Sequence, residues 1–326
     1  MIFFEKKINN QYYNKTTWAI FLLPISLFFY FVIIVRKFLY KAKILKSFRF
    51  KVPVVIVGNI TMGGTGKTPI IISLVNDLMG RKFKVGIISR GYKSKFSHAR
   101  EVLFSSNYKD VGDEPLLLKK KLKCPVYVGI DRVKTGKKLL EDYPDTDLIL
   151  SDDGLQHYAL SRDFEIIVVD GNRGFGNHYL LPAGPLREPL NRLKKSDAII
   201  LNGPSKNFKH TPNTFDTEEI NENYFSLLSG GERVTSRIFK DKKVVAITGI
   251  GNPKKFFDTL ESKGISFKKH IYPDHYNFKQ ADFDKFQQNY IIMTEKDAIK
   301  CAEIKHKNLW VLPLTLKINK TIIKNI

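Results

Sequence analysis

Cysteine is almost absent: in 326 residues only Cys124 and Cys301 carry thiols, far apart and without metal-type spacing. That excludes a disulfide framework or a zinc ribbon, and it fits a reducing compartment in which both thiols are buried structural groups. Acidic charge is scarce too, 32 Asp and Glu against 54 Lys and Arg, a formal net charge of +22. Such a surface attracts polyanions, whether nucleic acid, anionic lipid headgroups or phosphorylated substrates. An arginine-rich recognition helix and an exposed aromatic stacking motif are both missing, which leaves nucleic acid with composition alone in its favour. A repeat of fixed period and a low-complexity tail are missing as well.

One glycine is missing where it matters. Residues 59–69, "NITMGGTGKTP", end like the phosphate-binding pattern G-x-x-x-x-G-K-[ST], but Thr61 stands at the first glycine position. Gly63, Gly64 and Gly66 still free the turn to reach positive φ and to approach a polyanion closely. Thr65 completes the turn, Lys67 is placed to reach the β- and γ-phosphates, and the Thr68 hydroxyl to bind Mg²⁺. The β-branched run "VPVVIVGN" (52–59) precedes the loop and "PIIISLVNDLM" (69–79) follows with helical periodicity and Pro69 at its start. Strand, glycine turn and helix in that order are the context a nucleotide site requires.

A long run without charge, "WAIFLLPISLFFYFVIIV" (18–35), is the one segment that suits a bilayer. A helix of that length matches a hydrocarbon core of about 30 Å. No small-residue cleavage site follows; Arg36, Lys37, Lys41, Lys43 and Lys46 do, and these cations suit anionic headgroups. Lys6, Lys7 and Lys15 precede the run and blunt the orientation signal, although the larger cluster after it favours a cytoplasmic body. Pro24 and the marginal length leave spanning and interfacial placements both open.

From 52 to about 200 the chain alternates apolar runs ("KVGIISRG", "CPVYVG", "DLILSDDG", "FEIIVVDG", "SDAIILNG") with helix-like segments. The expectation is an α/β fold of P-loop NTPase type, a mainly parallel sheet with helices on both faces, and a second smaller α/β lobe behind an N-terminal membrane-associated helix. The division expected is 1–47 for helix and basic flank, 48–204 for the core, 205–242 for a polar connector and 243–326 for the second lobe. "GIGNP" (249–253) lacks a lysine and is a tight strand-to-helix turn.

Phosphoryl transfer needs a metal ligand at a strand end, and Asp152 and Asp153 in "LILSDDGLQH" (148–157) supply carboxylates there, with helix capping as the alternative. Gln156 and His157 follow one turn on. Asp113 and Glu114 in "DVGDEP" (110–115) and His275 in "YPDHYNF" (272–278) are acid–base candidates, each equally readable as a cap or a structural side chain. Arginines in "SRGYKS" (89–94), "GIDRV" (129–133) and "PAGPLREP" (182–189) either bind a second anion or form salt bridges.

Together "GNITMGGTGKTP", "ISRGY", "VGDEPLLL", "GIDRV", "SDDGLQHYAL", "LLPAGPLREP", "TGIGNP", "PDH" and "MTEKDA" resemble the tetraacyldisaccharide 4′-kinase family over about residues 15 to 315. The resemblance implies transfer of the ATP γ-phosphate to the 4′-hydroxyl of a tetraacylated glucosamine disaccharide 1-phosphate, forming lipid IVA at the cytoplasmic face of a Gram-negative inner membrane. It implies ATP and Mg²⁺ as cofactors, with no nucleic acid and no obligate protein partner. By motif it makes Asp113 and His275 the catalytic dyad, with Lys67 on the phosphates. Thr68, Glu114 and Asp152 become metal candidates, and Arg90, Tyr92, Arg132 and Arg187 holders of the acceptor. It also accounts for Thr61, since the family commonly carries a hydroxyl residue there, and it marks Lys93-Ser94-Lys95 as a departure from the glycine that often follows "SRGY". The rival reading is a membrane-tethered P-loop NTPase with no lipid acceptor.

Overall fold

A computed structural model describes residues 12–13, 18–92, 98–205, 208–220, 225–228, 230 and 233–326; Lys6, Lys7, Lys15 and Lys93-Ser94-Lys95 lie outside them. Six helices matter for function: α1 (Trp18–Lys41), α2 (Lys67–Gly80), α3 (Asp113–Lys121), α4 (Arg132–Asp142), α5 (Pro253–Ser262) and α6 (Lys320–Asn325). The first sheet is built from β1 (Val54–Gly58), β2 (Val85–Ser89), β3 (Arg100–Glu101), β4 (Val126–Val128), β5 (Leu148–Asp152), β6 (Phe164–Asp170), β7 (Ala198–Asn202) and β8 (Thr214–Asp216). A short β9 (Glu218–Ile220) leads to the second sheet, made of β10 (Phe225–Leu227), β11 (Arg233–Val234), β12 (Val244–Thr248), β13 (Lys268–Ile271), β14 (Tyr290–Thr294) and β15 (Leu309–Leu312). β16 (Thr315–Lys317) then returns to pair with β9.

The first sheet runs β3-β4-β2-β5-β1-β6-β7-β8, parallel except where β3 meets β4. Its inner strands β1, β2, β4, β5, β6 and β7 are mainly apolar and buried because both faces are covered. Along β1, Val55 and Val57 enter one core with α2 and α3, whereas Val54 and Ile56 enter the other with Leu139 of α4 and Leu186. Parallel strands aligned this way end together, so the turns after β1, β5, β6 and β7 share one edge, the place where open α/β sheets bind ligands. The second sheet, β11-β10-β15-β14-β12-β13, is parallel from β15 to β13. Its own core forms around Phe225, Phe257 and Trp310.

Two features depart from the simple pattern. The polar connector contributes four short strands, β8 at the edge of the first sheet, β9 beside β16, and β10 and β11 in the second sheet. The chain end crosses back as well: Leu316, Ile318, Ile322 and Ile323 join the core formed by α2 and α3.

α1 is the exception to burial. Only 11% of its most apolar window is buried, and Phe21, Phe28 and Phe38 are 77%, 66% and 62% exposed. A helix of the soluble core would hide these rings. It is long and apolar enough to cross a membrane by length and composition. Both thiols are buried and unpaired.

Candidate functional site

The loop between β1 and α2 follows from its glycines. Gly63 at φ 95° and Gly66 at φ 80° occupy the left-handed region, and Gly66 is the residue that caps α2. The amides of the first turn of α2 face outward there, with the positive end of the helix dipole behind them. Thr61 needs no glycine because it is buried with its backbone bridged to Leu186. The Thr65 hydroxyl is buried and meets no protein partner, so a ligand oxygen would complete it.

Lys67 Nζ donates to Asn59 Oδ1 at 3.0 Å and lies 3.2 Å from Asp153 Oδ1. Asp153, itself at φ 50°, accepts from Arg187 Nη1 at 3.2 Å. Burial would raise this carboxyl, but the Lys67 and Arg187 cations hold it far below the usual range. Asp152 behaves oppositely. Its Oδ2 accepts from Ser89 Oγ at 2.9 Å, and burial plus the nearby Glu114 charge push it up to about 7. Register explains its position: Val57 of β1 pairs with Asp152 of β5, which sets the carboxylate beside the loop.

Asp113 begins α3 just after Gly112 at φ 91°; a Cβ on Gly112 would stand 3.2 Å from the Tyr92 carbonyl. Across from it His275, at φ 59°, places Nδ1 2.7 Å from Asp113 Oδ2. Burial works to raise Asp113, yet the His275 hydrogen bond and the Lys296 cation outweigh it and hold the carboxyl at about 2. The ionised oxygen accepts, so Nδ1 carries the proton. Non-glycine residues at positive φ are uncommon, and strain of this kind gathers where a side chain must be aimed. The His275 amide is fixed by the Gly249 carbonyl at 3.1 Å.

Lys296 closes the cluster. Its Nζ lies 2.8 Å from Glu114 Oε1, 3.6 Å from Asp274 Oδ1 and 3.5 Å from His275 Nε2. The Lys296 cation holds Glu114 ionised despite burial, and the Lys296 ammonium is itself held above its ordinary range. Asn202 Nδ2 donates to the Thr65 carbonyl at 2.9 Å while its Oδ1 accepts from Lys255 Nζ at 2.9 Å. Asn252 Nδ2 reaches Asp170 Oδ2 at 2.8 Å. The "GIGNP" turn packs its backbone on the loop, since a Cβ at Gly251 would lie 2.9 Å from Gly64 N. Between the two sheets opens a cleft with about 1150 Å³ of empty space, mouth included. Its lining combines polar groups, Thr68 and Lys67 among them, with apolar side chains such as Phe256, Leu312 and Leu314. That is the shape a nucleotide fits, phosphates at the loop and a base against apolar walls.

The sequence candidates therefore divide. Lys67, Thr68, Glu114, Thr65 and the glycines Gly64 and Gly66 line the cleft. Asp113 and His275 are joined, and Tyr92, exposed, stacks near His275 with ring centres 5.2 Å apart. Arg187 is tied to Asp153. Arg132 is buried, bonded through Nη1 to the Gly129 carbonyl at 3.2 Å, with its Nε unpartnered. Arg90 is exposed beside it. Of the "SDDGLQH" trio, Gln156 meets Glu188 at 3.1 Å, and burial lowers His157 to about 4. Asn59, Asp170, Asn202 and Lys296 were missed although they stood within quoted stretches, and Lys255 although it follows "GIGNP" by two positions.

Among the described residues no group of three or more His, Cys, Asp or Glu side chains could hold a metal alone. Glu114 and Asp152 nevertheless fit Mg²⁺, which takes one or two carboxylates and completes its shell with phosphate oxygens and water. Burial first, and the Glu114 charge second, push Asp152 up, so a bound cation would relieve part of that cost.

Comparison with known proteins agrees with this geometry. The profile of the tetraacyldisaccharide-1-P 4′-kinase family matches residues 18–326. The tetraacyldisaccharide 4′-kinase of Methylobacillus flagellatus is 42% identical over 323 residues, covering 99% of this chain and 95% of its own. That of Pasteurella multocida is 41% identical, covering 94% of each chain. Among solved structures, "apo" form LpxK from Aquifex aeolicus in complex with ATP superposes with a TM-score of 0.77 at 30% identity, covering 95% of this chain and 98% of that one. With the family profile matched over nearly its whole length and relatives about 40% identical across it, the chain belongs to the tetraacyldisaccharide-1-P 4′-kinase family.

Proposed function

We infer that this protein is a tetraacyldisaccharide 4′-kinase, which moves the γ-phosphate of ATP to the 4′-hydroxyl of tetraacyldisaccharide 1-phosphate and forms lipid IVA in lipid A biosynthesis. The observation that carries the reading is one cleft that a phosphate loop ending in Lys67 shares with Glu114 and Lys296, the latter lysine lying 3.5 Å from His275 of the Asp113–His275 pair. The loop amides and Lys67 hold the β- and γ-phosphates. The dyad takes the proton of the acceptor hydroxyl, that oxygen bonds to the γ-phosphorus, and the bond to the β–γ bridging oxygen breaks with ADP leaving. Thr68, Glu114 and Asp152 would hold Mg²⁺, which when bound neutralises charge on the phosphates. Lys67 is poised for this work because Asn59 holds its ammonium while its ion partner Asp153 is a group it can exchange for phosphate.

Arg90, Tyr92, Arg132 and Arg187 would hold the acceptor, and the support for Tyr92 is its place beside His275 of the dyad. The two sheets serve as two lobes, the first bearing the loop and the second His275 and Lys296, with residues 205–242 between them. α1 seats the enzyme at the cytoplasmic face of the inner membrane. It lies along the body rather than away from it: Ser26 and Lys37, about 16 Å apart on a helix, are both bonded to the body. The outer face carries the exposed rings, so an interfacial placement is favoured over a full span. An acylated acceptor leaves a bilayer only at about 0.8 kcal/mol per CH₂, and the enzyme therefore works where the lipid lies.

The test is transfer from γ-labelled ATP to tetraacyldisaccharide 1-phosphate in mixed micelles, for the intact protein and Lys67→Ala. Labelled lipid from the first and none from the second is expected. ATP hydrolysis without labelled lipid would instead make the protein an NTPase lacking this acceptor.

A further inference from the structure

Besides the packing of Arg36 and Tyr40 against Tyr158, α1 is bonded to the body through Ser26 and Lys37, and both of these contacts lead to the phosphate loop. Ser26 Oγ donates to the Leu180 carbonyl at 2.9 Å and accepts from Ala183 N at 3.0 Å. The segment it touches is paired in turn with the chain entering the loop: Met62 N donates to the Pro185 carbonyl and Arg187 N to the Ile60 carbonyl, each at 2.7 Å. At the other end of α1, Lys37 Nζ lies 2.6 Å from Glu188 Oε2.

Glu188 is 1% exposed and highly connected. Tyr158 donates to its Oε2 at 2.9 Å, Gln156 to its Oε1 at 3.1 Å, and Arg192 Nε stands 3.4 Å away. Gln156 Nε2 also reaches the Asn59 carbonyl at 3.4 Å, and Asn59 Oδ1 accepts from Lys67 Nζ. An unbroken line of polar contacts thus runs from the membrane helix to the lysine of the loop. Lys37 is the unusual member. Lys41, Lys43 and Lys46 are exposed, as cations meeting headgroups would be, whereas the Lys37 side chain is 32% exposed and turned onto a buried carboxylate. A carboxylate so enclosed is stable only with its charge matched and its lone pairs bonded.

We propose that Lys37 and Glu188 are positioning residues that couple the seating of α1 to the placement of Lys67. Gln156, braced by Glu188, fixes the Asn59 backbone, and Asn59 in turn fixes the ammonium. When α1 shifts, Glu188 loses a cation, Gln156 its brace, and the lysine its alignment; small misplacements of this kind are costly in turnover. The inference rests on reading Lys67 as the phosphate-binding lysine.

The experiment uses the full chain in mixed micelles with ATP and tetraacyldisaccharide 1-phosphate, measuring kcat and both KM values, with vesicle co-sedimentation alongside. Lys37→Met is expected to lower kcat about tenfold with the lipid KM and vesicle binding kept, and Lys37→Arg to restore it. Lys41→Met, which alters an outward cation, keeps kcat. Glu188→Gln lowers kcat similarly, and adding Lys37→Met to it costs nothing further; should Glu188→Gln not fold, the Lys37 substitutions decide alone. An unchanged kcat in Lys37→Met, a loss confined to lipid KM or vesicle binding, or multiplying losses in the double variant overturns the coupling. Transfer retained in Lys67→Ala overturns the reading beneath it instead.

Discussion

Replacing Asp113 with asparagine separates its chemical contribution from its structural one. The substitution keeps shape and an acceptor for His275 Nδ1, now 2.7 Å from Oδ2, but removes the charge. As part of the base, Asp113 is expected to carry about 10²–10⁴ in rate, so kcat should fall by that factor while ATP binding, which depends on the loop, is retained. Its stability role has a definite sign. A carboxyl lowered from an ordinary 3.8 to about 2 contributes about 2 kcal/mol. That contribution is complete above pH 3.8 and disappears as pH falls through about 2. The gap in unfolding free energy between wild type and Asp113→Asn should therefore be about 2 kcal/mol near neutrality and close below pH 4. Labelled-phosphate transfer gives the first quantity, and urea titrations across pH give the second. A kcat within about threefold of wild type would refute the assignment as base, and a gap independent of pH would refute the electrostatic account.

Asp152 predicts the reverse slope. Raised in the fold from 3.8 to about 7, it binds its proton more tightly when folded, so the ligand-free protein loses stability as pH climbs between those values. Asp152→Asn should remove that slope, and MgATP should reduce it in the wild type, both readable as melting temperature against pH; a slope unchanged in the variant would refute the cause. Gly66→Ala tests the loop. At φ 80° its Cβ would lie 2.0 Å from Asn202 Nδ2, forcing apart the bonds from Asn202 to Thr65 and Lys255. ATP-dependent thermal stabilisation should largely vanish, and adding Asn202→Ala should recover only part, since left-handed strain of about 1–2 kcal/mol remains. An undiminished ATP shift in Gly66→Ala would show that the turn is not the phosphate site.

How much of this was readable beforehand depends on whether a feature belongs to one residue or to a pair. The central strands of both sheets were visible as apolar runs because each residue in them is buried by itself, as Val54 to Gly58 show. The phosphate loop was visible because its backbone needs are local. The short strands β8 and β9 were not, since their residues are mostly half-exposed or exposed and carry no apolar pattern. The return of Leu316 and Ile323 to the core of α2 was equally silent. Site residues followed the same division. Asp113 and His275 were visible as letters in motifs, but their bond spans 162 positions and that of Glu114 with Lys296 spans 182. Asp152 lies beside the loop because β5 neighbours β1 with Val57 opposite it, a matter of sheet order. No periodicity encodes sheet order, which is why Asn202, Lys255 and Lys296 gain meaning only when β7, α5 and β14 arrive at one cleft. The same reasoning explains Lys37, one cation of many in the sequence, which becomes distinct only when folding turns it onto Glu188.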